Sequence, residues 1–412
     1  MQPEERYLII GFNSRPIAIS AQYAGYRVAV IDFFGDLDLK ISVDVMFSVL
    51  WQRAGYPLMR KLARPAQEYL MTLAEIMLEE QEVDGIIQGS GLDDYYKGWV
   101  SISKKCPLVG NPPKRLPLLR DRHVLYSLAP KFNLRAPQME QVSSPKEACE
   151  IAQEVGFPVV LRPVGGSAGI DTYKCDDVEE VTAVAIHILK TRNHLLILDF
   201  IEGIPASVSL VGNGQECRVV AVNEQLIGIE AFGAPGKFMY AGNITPLALQ
   251  LEPELIISLE QLGSKLKLVG SNGFDFVIHK DELFLMELNP RLQGTLEIIE
   301  RAYNINLFEL HLMAYHGNLP DSPPIPKRVT GKAVIYAKVA GSMSSIPQQL
   351  KKSQVVDRSL PDVILDRGDP VCTLLTSGKS REEVFSSLLE DSRCLFEVGD
   401  VESKKIKWNS SG

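Results

Sequence analysis

The chain carries no C-x-x-C pair. Its six cysteines, Cys106, Cys149, Cys175, Cys217, Cys372 and Cys394, lie at long intervals with no histidine at close spacing. That pattern excludes a disulfide-stapled secreted scaffold and a zinc ribbon, and reads as reduced, buried thiols in a reducing compartment. Positive charge is not in excess either. Forty-three basic against 51 acidic residues give a net charge of −8, which argues against a general nucleic-acid or anionic-membrane binder and confines any phosphate chemistry to a local site. Apolar runs such as Leu195 to Leu198 are strand-length, far short of the roughly 20 residues of a membrane helix. Met1 to Arg6 is polar and acidic, unlike a secretory leader. A cytoplasmic protein that uses neither nucleic acid nor membrane follows. Its 412 residues, 45% hydrophobic and 23% charged, are ordinary for globular chains. At about 150 residues per domain the length predicts three domains.

Several catalytic motifs are missing as well. Gly233 to Lys237 comes nearest to a phosphate loop, but its leading glycine is misplaced and Phe238 stands where a magnesium-binding hydroxyl would be. The turn Gly11 to Pro16 lacks G-x-G-x-x-G, and Gly212-Asn213-Gly214 reads as a hairpin. His311 and His316 are not at zinc-motif spacing. No nucleophile-elbow serine, internal repeat or low-complexity tract occurs.

What is present begins with a βαβ unit: an apolar run Tyr7 to Gly11, a helical stretch Pro16 to Tyr23, and a second run Val28 to Ile31 ending at Asp32. A ligand is expected beyond the carboxyl ends of such strands, near Asn13, Ser14, Arg15, Asp32 and Asp36. These turns serve either the substrate or simple sheet-end capping. A helix Pro65 to Glu82 and a strand Gly85 to Gln88 leading into Gly89-Ser90-Gly91 complete a first α/β unit. The proline-bearing, basic stretch 109–122 reads as a surface linker. An α+β unit follows over about 121–205, with helices from Arg122, Pro145 and Val178 and strands at Val159 and Leu195. Strands near Ala206 to Val211, Glu216 to Asn223 and Gln225 to Glu230, a helix Pro253 to Leu266 and one from Thr295 to Tyr315 come next. The proline-rich segment Asp321 to Pro326 is a linker. The remainder alternates short strands with turns and carries one helix near Arg381 to Leu389.

The most informative stretch is Gly273 to Ile278, an acidic turn at Asp281-Glu282, and Leu283 to Gly294. Alternation along an extended strand puts Glu287, Asn289 and Arg291 on one face, with Phe274, Phe276, Phe284 and Met286 as the core face. If Asp275 joins that site from the partner strand, two carboxylates and an amide oxygen make an oxygen-only set suited to Mg²⁺ on phosphates, with Arg291 available for a phosphoryl oxygen. The alternative is a hairpin whose acidic face meets water. A second element, Phe157 to Gly169, is a strand ending at Arg162 and a glycine-rich loop whose N–H groups can approach phosphates or simply close a hairpin. A third, Leu196 to Gly203, is an apolar strand that breaks at glycine.

In this order, from the Arg122 helix through Arg162 and its loop, Asp199 to Gly203 and Asp275 to Glu287-Leu288-Asn289-Pro290-Arg291, the chain resembles the ATP-grasp superfamily of carboxylate ligases over nearly its whole length. Ser14-Arg15, Ala24-Gly25-Tyr26, Asp32 to Asp36 and Gly89-Ser90-Gly91 are similar to predicted ATP-dependent carboligases of organisms that use methanopterin-type one-carbon cofactors. The resemblance implies a mixed α/β and α+β architecture: a pre-ATP-grasp open parallel sheet (1–120), a two-lobed ATP-grasp domain (121–325, with lobes 121–205 and 206–325) and a small strand-rich C-terminal domain (326–412). It implies phosphate contacts from Arg122 and Arg162, where the family usually has lysines, and a lid loop at Gly165, Gly166, Ser167, Ala168 and Gly169. Adenine would meet Asp199, Phe200 and Ile201, while Pro205 replaces a carboxylate that often holds the ribose. Asp275, Glu287 and Asn289 would hold Mg²⁺, with Mn²⁺ as an alternative, and Arg291 and Arg162 would act at the reacting groups. The implied activity is ATP-dependent activation of a small-molecule carboxylate as an acyl phosphate for attack by an amine or other nucleophile. Bicarbonate-dependent carboxylation of the biotin-carboxylase kind and a non-catalytic nucleotide-binding module are the alternatives, and a homodimer is compatible with all three.

Overall fold

The first apolar runs pair side by side. Arg6–Gly11 lies parallel to Arg27–Asp32 on one side and to Gly85–Gln88 on the other, and Val45–Ser48 completes a four-stranded parallel sheet. Alternation sorts its two faces. Leu8, Ile10, Ala29 and Ile31 pack with Leu70, Ala74 and Met77 of helix Ala66–Glu80. Tyr7, Ile9, Val28 and Val30 pack with Ile17, Ala18 and Ala21 of helix Arg15–Tyr23. With both faces covered, the strands are near-continuous apolar runs, and their carboxyl ends deliver residues 11–15, 32–38 and 89–94 to one edge. This is seen in a computed structural model that describes residues 5–59, 61–166 and 168–403, with side chains to 396; Ser167 and most of the Met1 to Arg6 stretch lie outside them.

The stretch 109–122 departs from a surface linker. It forms helical turns Pro113–Arg115 and Leu116–Arg120 that bury Leu116, Leu119 and Arg120, with prolines in first turns where no amide partner is lost. Helix Arg122–Leu128 follows, capped by the Asp121 carboxylate accepting from the His123 N–H at 2.9 Å. A small antiparallel sheet orders its strands Met139–Val142, Leu195–Asp199, Val159–Pro163 and Tyr173–Cys175. Helices Pro145–Val155 and Val178–Leu189 cover it, each started by a side-chain cap, Ser144 and Asp177.

The large sheet has eight strands in the order Glu282–Asn289, Val269–His279, Ile204–Asn213, Cys217–Ile227, Tyr240–Thr245, Val329–Tyr336, Pro370–Gly378 and Gln354–Val356. Cys217–Ile227 is one strand where two were expected, its register slipping at Val219/Ala221 and at Leu226/Ile227. The helix expected over 295–315 is two, Leu296–Tyr303 and Leu307–Tyr315, because Asn304 turns left-handed (φ 56°) and Asn306 caps the next helix. The last helix runs on to Ser403. The strands of 329–378 extend the large sheet, apart from the separate pair Gly341–Ser342 and Ile364–Leu365. The architecture is the mixed α/β one the resemblance implies. Among the described residues no helix is long and apolar enough to cross a membrane.

Candidate active site

The site grows from the hairpin of Val269–His279 and Glu282–Asn289, where Asp275 sits opposite Glu287 and Gly273 opposite Asn289. A register slip between Asp275 and Phe276 leaves Met286 without an opposite number. This bulge reverses the alternation. Before it the buried residues are Leu283 and Leu285; after it Leu288 is buried while Glu287 and Asn289 join Asp275 on the site face. Phe274 and Phe276 are core as expected, but Phe284 and Met286 are only half-buried, and the bulge is the reason.

Three arginines converge on Glu287. Arg122 Nη2 donates to its Oε2 at 2.5 Å, Arg162 Nη2 stands 3.8 Å from the same oxygen, and Arg120 Nη1 is 3.7 Å from Oε1. Burial alone would raise the Glu287 pKa, but Arg120, Arg122 and Arg162 outweigh it and hold the group at about 2. Burial raises its opposite number, Asp275, to about 7, with the Glu287 charge adding to the effect. Arg162 is lowered to about 10 by burial and then by Arg122. The Nε atoms of Arg122 and Arg162 are buried without a hydrogen-bond partner among the described residues. Positive charge and donor capacity therefore exceed what one carboxylate uses, as an anion site requires.

The loop after Arg162 reaches across this cluster. Gly166 N–H donates to Asp94 at 3.1 Å, and Ala168 C=O accepts from Tyr240 N–H at 3.1 Å. Gly169, at φ +75°, lies so close to the Phe238 carbonyl that a Cβ would be 1.8 Å from its oxygen. Nearby, Asp199 accepts from the Gln138 N–H at 3.1 Å while its other carboxylate oxygen has no partner among the described residues. Phe200 lies between Lys174, 5.0 Å from its ring, and Phe238 at 6.4 Å. Ile201 is half-buried beside it.

Arg291 donates from Nε to Asp93 at 2.8 Å and from Nη1 to the Leu292 C=O. Asp275 accepts from Gln225 at 3.0 Å and from Asn289 at 2.9 Å. Among the described residues no trio of Asp, Glu, His or Cys is disposed to hold a metal; the donor set is two carboxylates and an amide. Two opposed carboxylates, one driven toward its protonated form, are what a hard dication would relieve, and oxygen ligation fits Mg²⁺. Asn289 now donates to Asp275 and would ligate through its carbonyl oxygen. Arg120, Asp93, Asp94 and Gln225 escaped the sequence reading. Arg120 had one local signal, its place two residues before Arg122, whereas Asp93 and Asp94 act from the edge of the parallel sheet and Gln225 from a strand two places away from Asp275 in the large sheet. Arg15, read as a substrate candidate, is instead taken up by Glu297 (2.7 Å from both Nη atoms) and Asp357 (2.6 Å from Nε).

Residues 130–295 match the model of the ATP-grasp domain. An uncharacterised protein of Methanocaldococcus jannaschii is 23% identical over 93% of this chain and 91% of its own length. The carbamoyl phosphate synthase large chain of Helicobacter pylori is 25% identical over 56% of this chain, which spans about a fifth (22%) of that protein. Among solved structures, Campylobacter jejuni biotin carboxylase superposes with a TM-score of 0.72 at 14% identity over 98% of both chains. Bacillus licheniformis L-amino acid ligase superposes at 0.69 with 17% identity, over 95% of this chain and 98% of that one. Residues 130–295 are thus similar to the ATP-grasp domain, and nearly the whole chain shares the fold of these solved structures.

Proposed function

We propose that the protein is an ATP- and Mg²⁺-dependent ligase that activates a small-molecule carboxylate as an acyl phosphate for attack by an amine or other nucleophile. The observation that carries this reading is the charge imbalance at Glu287, three arginines on one carboxylate opposite a second, Asp275, that burial pushes up to about 7. Phosphate oxygens would take up the free capacity of Arg122 and Arg162, and the N–H groups of the Gly165 to Gly169 loop would cover them. Asp199, Phe200 and Ile201 would hold the base. Asp275, Glu287 and Asn289 would hold Mg²⁺, which when bound neutralises phosphate charge and orients the γ-phosphoryl group. The substrate carboxylate oxygen forms a bond to the γ-phosphorus while the bond to the β–γ bridging oxygen breaks, releasing ADP. The nucleophile then attacks the acyl carbon and inorganic phosphate leaves. Arg291, steadied by Asp93, would stabilise the charge that develops between these groups. No protein nucleophile takes part.

The same reading assigns 1–120 to substrate, 121–325 to nucleotide and 326–412 to covering the site, in a cytoplasmic enzyme. The test is ADP release from Mg-ATP with a panel of small acids and amines. Turnover should depend on an acid and fall about a hundredfold or more in Asp275→Ala and in Glu287→Ala. Undiminished turnover in both variants would sink the site assignment. Dependence on bicarbonate alone would favour carboxylation, and tight ATP binding without turnover would favour a regulatory module.

A further inference from the structure

Lys332 is a charge without a local counterpart. It lies in mid-strand in the large sheet, opposite Asn243 on one side and Leu375 on the other, and is only 6% exposed. Its ammonium makes no hydrogen bond and no close ion pair among the described residues; the centroid of the Tyr240 ring lies 5.9 Å from it. Burial lowers its pKa, and Glu297 and Asp357 act on it only from a distance. Those two carboxylates are already engaged by Arg15. An ammonium buried in this way is costly unless a partner arrives.

The space it faces is next to the reacting centre. A Cβ placed on Gly294 would stand 3.6 Å from Lys332 Nζ and 3.8 Å from the Tyr240 hydroxyl. Gly294 is three residues beyond Arg291 on the loop that leaves Asn289. Tyr240 also lies within the electrostatic reach of Asp275 and Arg291. The missing side chain of Gly294 thus leaves room where an ammonium, a phenol and the Arg291 loop meet.

We propose that Lys332 is the anion-binding subsite for the acid substrate and takes a carboxylate lodged over Gly294, beside the Tyr240 hydroxyl, whose proton is committed to Asn243 Oδ1. This rests on the reading that a carboxylate is activated here. Lys332 is a specificity-determining residue in that scheme, contributed by the strand-rich C-terminal part of the chain.

The test is calorimetric titration of acetate, succinate and L-glutamate into the full chain in the presence of Mg-ADP, with a separate titration of Mg-ADP. The unmodified protein should bind at least one of these carboxylates. Lys332→Met should weaken that binding about tenfold or more, with Lys332→Arg intermediate and Mg-ADP affinity changed less than about twofold. Gly294→Ala, which keeps every charge, should weaken it about threefold by filling the space. No binding of any of the three, or equal binding by the unmodified protein and Lys332→Met, overturns the proposal. A loss of thermal stability in Lys332→Met with carboxylate binding intact also overturns it, because Lys332 would then be only a counter-charge for Glu297 and Asp357. Carboxylate binding that needs Lys332 in a protein that does not bind Mg-ADP supports the subsite and sinks the nucleotide reading instead.

Discussion

Two buried clusters of arginine and carboxylate, built from the same chemical groups, have opposite stoichiometry. Around Arg15 one guanidinium meets three carboxylates, Glu297, Asp357 and Asp38. Around Glu287 one carboxylate meets three guanidiniums. In the first each guanidinium nitrogen of the arginine has a carboxylate partner, and the cluster ties the parallel sheet to the helix Leu296–Tyr303 and to the segment after Gln354–Val356. In the second, donors remain over. A cluster whose guanidinium nitrogens all have protein partners holds the protein together, whereas one with buried, unpartnered Nε donors is arranged for something that is not protein.

Breaking the first cluster should have the largest effect on stability. Arg15→Met leaves Glu297 and Asp357 buried without their main counter-ion, and the unfolding free energy from urea titration should fall by about 3–5 kcal/mol. If it falls by less than about 1 kcal/mol, the cluster is not the tie described. Removing a charge from the second cluster should separate stability from binding. Arg162 is already disfavoured as a cation by burial and by Arg122, so Arg162→Met should leave the urea midpoint nearly unchanged. ATP affinity should drop about tenfold. An equal loss of stability in Arg162→Met and Arg15→Met would erase the distinction.

The smallest effect is a slope with pH. Beside Arg15, burial raises Asp32 to about 7, despite N–H donors from Gly35 and Ser14. The folded state then keeps its proton where the unfolded chain has lost it. Stability from this group is full at acid pH and declines as pH rises from about 4 to about 7, by at most about 1.4 kcal/mol per pH unit. Glu287, held at about 2, has the opposite sign: its contribution is present above its unfolded pKa of 4.5 and is lost as pH falls toward 2. Urea midpoints across this range should show the decline in the unmodified protein and a flatter line in Asp32→Asn.

Local regularities made much of the fold legible. Apolar runs ending in glycine or aspartate mark the parallel strands, and Ser144 announces its helix. The Glu287-Leu288-Asn289-Pro290-Arg291 run pointed to the hairpin face because alternation after the bulge is regular. The bulge itself was invisible: nothing about Met286 says that it has no partner across the ladder, so the core face before it was assigned to Phe284 rather than to Leu283 and Leu285. Arg120 was hidden for a different reason. Prolines suggested a surface path, but Leu116 and Leu119 draw that turn inward and carry the arginine with it. The Arg15 cluster joins residues as far as 342 positions apart, and no pattern along a chain reports a pairing of that span.

The small sheet of Met139–Val142, Leu195–Asp199, Val159–Pro163 and Tyr173–Cys175 shares no strand with the large one, yet the chain is fastened on both sides of it. On entry, Arg135 exchanges backbone hydrogen bonds with Leu283 and Leu285 at 2.8 and 2.9 Å. On exit, Gly203 lies so close to Ile278 that a Cβ would stand 2.1 Å from its carbonyl oxygen. Both fastenings fall on the hairpin that carries Asp275 and Glu287, so the small sheet that carries Arg162 is moored at each end to the very strands whose carboxylate Arg162 faces.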